Sequence, residues 1–407
     1  MSERPRRSSV RATLQALTVS VIGVIPAFLV GALAVQIRAD LDVGLGLFGF
    51  AVATLFAVSG VLGRPGGRLV QRLGSRKGTV LAAALATVSL ATVASAQSAA
   101  MLMVALAIGG LANAVAQPSA NLGLSRWVTD RRLGLAFGIK QSAIPTATLL
   151  GGLAVPGVAL VLGWRWAVAA AAALTVLVLL GALVGRGEAS PPGTSGVSRE
   201  PDRGLPRGGL VVLTIGGFFA SAASSPTGVF LVDSAVTAGI ASGTAGLLFA
   251  GCSLLMLTNR VGFGWLADRH PGQSRFLFIA YLLGGGAVGF ALMATGGIPV
   301  FVVGAVLACG LGWSWPGLFQ FAVIRENRAA AASVTGLMQT GLSLGAACGP
   351  MLFGVLAQAF SYTAAWSGVA ALSLAGACTI VIGRRMVRRA RGLPVTTLRR
   401  APRAASM

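Results

Sequence analysis

Lys140 lies about six residues into an apolar run over 134–160, and it is the one ionisable side chain that this reading places well inside such a run. A charge in hydrocarbon is costly and usually has a task, so one reading is a cation lining a solute path. The other is a lysine whose flexible stem snorkels to the interface. Gln141 follows it, and Asn113, Gln117 and Asn121 recur every four residues, which places three amides on one helical stripe. Amides are expensive against lipid, so the stripe faces protein or water, as solute ligands or as interhelical hydrogen bonds. Thr335, Gln339 and Ser343 repeat the pattern later in the chain, and Trp313 and Trp315 stand just before Pro316 as a stacking wall or as ordinary packing. Cation, amides and indoles together suit the binding of an anionic or strongly polar solute.

Bond-making chemistry has little to work with. His270 is the single histidine, so neither a Ser/His/Asp triad nor a histidine metal cluster can be assembled. Cys252, Cys309, Cys348 and Cys378 fall inside apolar runs without paired spacing and read as small packing residues. No enzyme, metal or cofactor is expected. Gly44, Gly46 and Gly49 spell G-x-G-x-x-G, but no strand precedes them, which argues against dinucleotide binding.

The elements that carry these residues are membrane spans. The 407 residues are 55% hydrophobic and 10% charged with mean hydropathy +0.82, too apolar for a water-soluble domain. Twelve runs reach the roughly 20 residues that cross about 30 Å of hydrocarbon: 13–36, 45–63, 79–96, 101–124, 134–160, 164–185, 209–236, 243–264, 276–296, 299–324, 331–357 and 362–383. Runs this long are helices, because lipid offers backbone amides no partner and the short alternating strands of a barrel are absent. A net charge of +22 would suggest a polyanion partner in a soluble protein. Here the cations collect in alternate loops: 4 before span 1, 5 between spans 2 and 3, 3 between 4 and 5, 4 between 6 and 7, 3 from the end of span 8 to span 9 (Arg260, Arg269 and Arg275), 2 between 10 and 11, and 8 in the tail. That partition, 29 of 32 with only Arg38 and Arg165 opposite and Lys140 within a span, predicts both termini in the cytoplasm of an inner (plasma) membrane protein and removes nucleic acid as a partner. The arginines from Arg384 to Arg403 form a topogenic tail or touch anionic lipid headgroups. The N-terminal arginines before an apolar stretch mimic a signal peptide, but the stretch is too long and reads as span 1.

Residues 186–208, with Pro191, Pro192, Gly193, Pro201 and Pro206, form a polar linker that divides the spans six and six. The predicted organisation is therefore a first six-helix bundle over 1–185, the linker over 186–208, a second bundle over 209–383 and a basic tail over 384–407. A shift of 198 residues brings Pro118 onto Pro316, Gly138 and Gln141 onto Gly336 and Gln339, and Gly151 onto Gly349, the mark of an internal repeat. Gly341, Gly345 and Gly349, echoed by Ala143, Ala147 and Gly151, predict close helix packing at the moving interface between the halves.

After span 8 the chain reads Gly264, Trp265, Leu266, Ala267, Asp268, Arg269, a G-x-L-A-D-R pattern. After span 2 it reads Gly67 to Lys77, with Gly67, Gln71, Arg72 and Gly74 in a longer form of the same motif. On these loops, the twelve spans and the repeat, the chain resembles the major facilitator superfamily over nearly its whole length. The resemblance implies two pseudo-symmetric bundles, a cavity between them near the midplane, and motif loops (Gly67, Gln71, Arg72, Gly74, Gly264, Asp268, Arg269) that act as a gate. Two departures stand out. Gln71 replaces the usual Asp of the first copy, and span 4 has Ala107 to Leu111 where the family's common R-x-x-Q-G arginine would stand, which removes that residue as a route for proton coupling.

The sequence therefore predicts a secondary carrier of a small solute, preferably an organic or inorganic anion, working by alternating access. A multidrug-type exporter of apolar compounds and a passive channel or facilitator are its alternatives. The cavity residues are Lys140, Gln141, Asn113, Gln117, Trp313, Trp315 and Gln339; the partners are the solute, membrane lipid and a proton as candidate coupling ion. Reporter fusions at Gly196 and Met407 should both read out as cytoplasmic. A periplasmic signal from either position reverses the orientation.

Overall fold

A computed structural model describes residues 3–127, 133–184, 207–269, 275–326 and 331–390. Almost all of them are helical, and no strand occurs among them. Eleven helices are long and apolar enough to cross a membrane. One of these, Leu45–Ala94, has 50 residues, about 75 Å at 1.5 Å per residue, more than twice the hydrocarbon thickness. It is two spans, separated where Gly74 adopts φ +82°, a conformation that only glycine reaches without strain. The expected loop over 64–78 is thus helical apart from that one break. With it the spans number twelve, as the apolar runs predict. Span 12 continues to Ala390, so Arg384 to Arg389, assigned to the tail from sequence, prolong a helix. Apart from its last two residues, the linker over 186–208 lies outside the described residues, as do His270 and the chain beyond Ala390.

The end of the bundle that carries Gly74 and the turn after span 8 is called the basic end below, and the opposite one the far end. Inside the bundle the prolines set a backbone problem. Each removes an N–H and orphans the carbonyl four residues earlier, in a solvent with no donor to spare. Pro118 frees Ala114, and Gly66 of span 2 comes so close that a Cβ there would stand 2.5 Å from the Ala114 oxygen. Pro226 frees Ala222, approached in the same way by Gly349 at 2.3 Å; Pro156 frees Gly152, approached by Gly246 at 2.7 Å. The helix break before Pro316 likewise leaves Gly312 O free, and it accepts from Ser224 Oγ at 3.0 Å. Glycine Cα–H groups and one hydroxyl take the place of the missing amides.

The small-residue stripes of spans 5 and 11 do not lie at the interface between the halves. Gly345 and Gly349 pack on span 7, against Phe218 O and Ala222 O, and Gly151 packs on span 1, against Ala32 and Phe28. Both contacts stay within one half and correspond to each other under the repeat. The seams between halves use other glycines. Spans 5 and 8 meet backbone to backbone at Gly134, Gly138 and Gly152 against Gly264, Arg260 and Gly246. Spans 2 and 11 meet at Gly49, where a Cβ would stand 2.4 Å from Pro350 O, and at Gly354 against Leu45 O. The nucleotide-like Gly44, Gly46 and Gly49 are therefore a helix-packing device, with Gly46 N donating to Gln358 Oε1 at 2.7 Å.

A side chain at Gly152 would meet Ala250 N and Gly246 O at 2.7 Å, both backbone, so neither can yield. Gly152→Leu should lower the Tm of the purified protein by about 5 °C or more. Gly251→Leu, on span 8, the other helix of this seam, but with nothing within 4 Å, should leave it unchanged. Equal Tm values for the two variants would contradict the seam.

Candidate functional site

Span 5 (Gly134–Leu162) carries Lys140 into the protein interior, where the residue is 1% exposed. Its ammonium does not snorkel. Nζ donates to Gln117 Oε1 at 2.7 Å, Gln117 Nε2 donates to Asn113 Oδ1 at 3.2 Å, and Asn113 Nδ2 donates to Ser59 Oγ at 2.9 Å. An ammonium can only donate, so it fixes which end of each amide faces it, and the string runs one way from span 5 through span 4 to span 2. Asn113 and Gln117 share a stripe, as their four-residue spacing requires. Asn121, the third member, has a buried Oδ1 with no protein partner in the structure. Gln339 donates to Ser343 Oγ at 3.4 Å, and Ser343 touches Gly60, the residue after Ser59. The Gln339–Ser343 pair thus packs beside the Ser59 end of the string, at the seam of spans 2 and 11.

A second buried cation was missed in the sequence. Arg260 is counted with the cations at the end of span 8, although it falls inside the expected run 243–264; it stands nine residues before that helix ends at Arg269 and is 1% exposed. Lys140 is therefore not the only charge inside the bundle. The guanidinium reaches two carbonyls in different halves: NH1 donates to Gln141 O, while Nε and NH2 donate to Trp313 O at 3.2 and 2.6 Å. Neither carbonyl has an ordinary helical partner. Four residues after Gln141 stands Pro145, and Trp313 follows a π-helical turn, Ala308–Gly312, that ends before the helix restarts at Pro316. Asn259, next to Arg260, satisfies Gly310 O of the same turn at 2.7 Å.

Around these cations the other expected residues are dispersed. Gln141 is buried and contributes its carbonyl to Arg260. Trp313 lies at the contact between halves, edge-on to Phe28 of span 1 with ring centroids 5.6 Å apart. Trp315 instead belongs to the core of the second half, donating to Ser224 Oγ at 3.2 Å and packed on Phe319.

Polar contacts join the halves at both ends. At the basic end Asp268 accepts from Gly134 N and Leu135 N, both at 2.9 Å, in the first turn of span 5. Gly264 packs on Gly134, and Arg269 stacks over Trp265 at 3.9 Å. The first motif copy stays within its own half. Gly67 faces open space, Gln71 and Arg72 are exposed, and Arg76 caps span 6 by donating to Ala182 O and Leu183 O at 3.1 and 2.7 Å. At the far end Arg38 donates from NH1 to both oxygens of Asp233 at 2.9 Å, and Tyr362 donates to the same carboxylate. No sequence pattern announces that pair, which joins residues 195 apart.

The sequence model of the Major Facilitator Superfamily matches residues 16–338. The chain belongs to that superfamily. A similar solved structure is that of the human organic anion transporter MFSD10 (TETRAN), at 17% identity with a TM-score of 0.64, covering 92% of this chain and 99% of that one. No curated protein matches. This superfamily member is a multi-pass membrane transporter with twelve helices in two six-helix bundles. Within the superfamily frame its two motif copies differ: the one that keeps its aspartate crosses between halves, and the one with Gln71 has no carboxylate to do so.

Asp268 is an anion at a helix N-terminus, a contact worth about 1 kcal/mol. Asp268→Asn should therefore raise the hydrogen-exchange rate of the 133–141 segment roughly fivefold, by mass spectrometry of the purified transporter. An unchanged rate would show that the carboxylate does not hold span 5.

Proposed function

We propose that this transporter is a secondary carrier for a small anion, working by alternating access around Lys140. The observation that carries the reading is a buried ammonium whose hydrogen-bond acceptor is a neutral amide. Burying a charge costs several kcal/mol unless a counter-charge meets it. Among the described residues no carboxylate pairs with Lys140: Asp40 and Asp233 pair with Arg165 and Arg38 at the far end, and Asp268 sits at the basic end. Arg260 adds a second cation whose partners are carbonyls. A translocated anion supplies the missing counter-charge. MFSD10 is named as an organic anion transporter; at 17% identity that likeness supports the fold, and the cargo class rests on Lys140.

In this reading the motif loop with Asp268 and the Arg38–Asp233 pair are the two gates, one at each end, and release of one at a time exposes the site alternately. The basic end faces the cytoplasm of the inner membrane, from the 29-of-32 partition of cations. The two bundles rock as units over 1–185 and 209–383, joined by the 186–208 linker.

Substrate binding to purified protein tests the site. Lys140→Ala removes a charge-assisted contact of roughly 1.5–3 kcal/mol and should weaken anion binding about ten- to a hundredfold. Lys140→Arg should restore it only in part, because a planar fork does not replace a compact ammonium. Gln117→Glu is the sharper variant: it keeps the shape, sets a carboxylate against the ammonium and should abolish anion binding while the protein elutes as folded. Binding of one anion within about threefold across wild type and all three variants ends the anion reading.

A further inference from the structure

Arg260 has no role in the reading above beyond adding charge, yet its contacts are unlike those of any other side chain described. It links spans 5, 8 and 10, and it crosses between the halves. The Gln141 carbonyl it holds belongs to the residue after Lys140, and that carbonyl is free only because Pro145 has no N–H to offer it. The neighbouring hydrogen bonds of span 5 are intact, with Ser142 N donating to Gly138 O at 3.1 Å and Thr146 N to Ser142 O at 2.9 Å. Pro145 thus opens a local gap at Gln141 O, with its immediate neighbours paired. The Trp313 carbonyl at the other side of the guanidinium is the end of the π turn of span 10, and the Trp313 ring rests on Phe28 of span 1.

We propose that Arg260 is the positioning residue that couples the anion site to the interface between the halves. By holding Gln141 O it fixes the backbone from which Lys140 reaches Gln117, and by holding Trp313 O with the same planar group it ties that backbone to the opposite half. A displacement of span 5 that accompanies binding or release at Lys140 is thereby passed to span 10 and to the Trp313–Phe28 contact. Arginine is required because one rigid fork spans two carbonyls, which a point-like ammonium does not do. The sequence makes the junction from a pair of residues, a proline that frees an acceptor on one span and an arginine that reaches it from another. The coupling to transport rests on the anion reading of Lys140; the Pro145–Arg260 junction does not.

Two measurements test it. The first is a double-mutant cycle in thermal unfolding of the purified full chain. Arg260→Gln should lower Tm clearly in the wild-type background, and by less than half as much in a Pro145→Ala background, where the restored amide at 145 satisfies Gln141 O from within the helix. Equal losses in the two backgrounds overturn the junction, and the cycle needs no ligand. The second uses benzoate, a singly charged carboxylate, as the probe of binding in detergent and of counterflow in proteoliposomes. Arg260→Lys, normalised to folded carrier, should bind benzoate within about threefold of wild type but exchange it at least tenfold more slowly. A merely structural arginine would lower the yield and leave the rate per folded carrier unchanged, and that result overturns the coupling. Loss of benzoate binding as large as in Lys140→Ala also overturns it, since Arg260 would then be a ligand. Failure of wild type to bind benzoate counts against the anion reading and against the coupling that rests on it, while the unfolding cycle still decides the junction.

Discussion

The interior of this bundle is governed by a single constraint: a carbonyl freed inside hydrocarbon must find a donor within the protein. The prolines at 118, 145, 156 and 226, and the helix break before Pro316, leave carbonyls at Ala114, Gln141, Gly152, Ala222 and Gly312 without a helical amide, and each of these is met by a residue of another span: Gly66, Arg260, Gly246, Gly349 and Ser224. Those pairings hold particular helices at close range. Two lie within the second half, one within the first, and two cross between halves on spans 5 and 8. Three of the freed oxygens are met by glycines, and replacing one of these loses both the fit and the weak Cα–H donor.

Charge follows a second, simpler rule. The described carboxylates in protein contacts lie towards the two ends, and the buried cations Lys140 and Arg260 lie between them. The ends hold the halves together in different ways: a bidentate guanidinium–carboxylate pair with a phenol at the far end, and a carboxylate on backbone amides at the basic end. The first breaks when either side chain is substituted. The second depends on one side chain alone, because its partners are main-chain N–H groups.

Local periodicity made much of this legible. Apolar run length located most of the spans to within a few residues, although spans 2 and 12 run on further as helix, and four-residue spacing put Asn113 and Gln117 on the stripe that meets Lys140. What stayed hidden was long-range. Arg260 lay four residues inside the expected boundary of span 8, where a cation reads as loop; its depth depends on how far the helix runs on to Arg269. The π turn that turns Trp315 into the second-half core and leaves Trp313 at the interface has no periodic signature. The span 11 stripe was read correctly as packing and assigned to the wrong partner, because small residues report close approach without saying which helix approaches. Pro145 was the missed clue: a proline inside a span implies a free oxygen at Gln141 and a donor somewhere to meet it.

The hydrogen-bond string from Lys140 to Ser59 has a bearing on energetics of a different kind. Each amide accepts on oxygen and donates from nitrogen, so passing a proton along it would force Gln117 and Asn113 through high-energy imidic acid forms. The string is an insulator. It spreads the field of the ammonium through aligned dipoles while denying its proton an exit towards span 2. The string thus offers the Lys140 proton no path towards span 2, and any proton that travels with the cargo takes a path other than these amides.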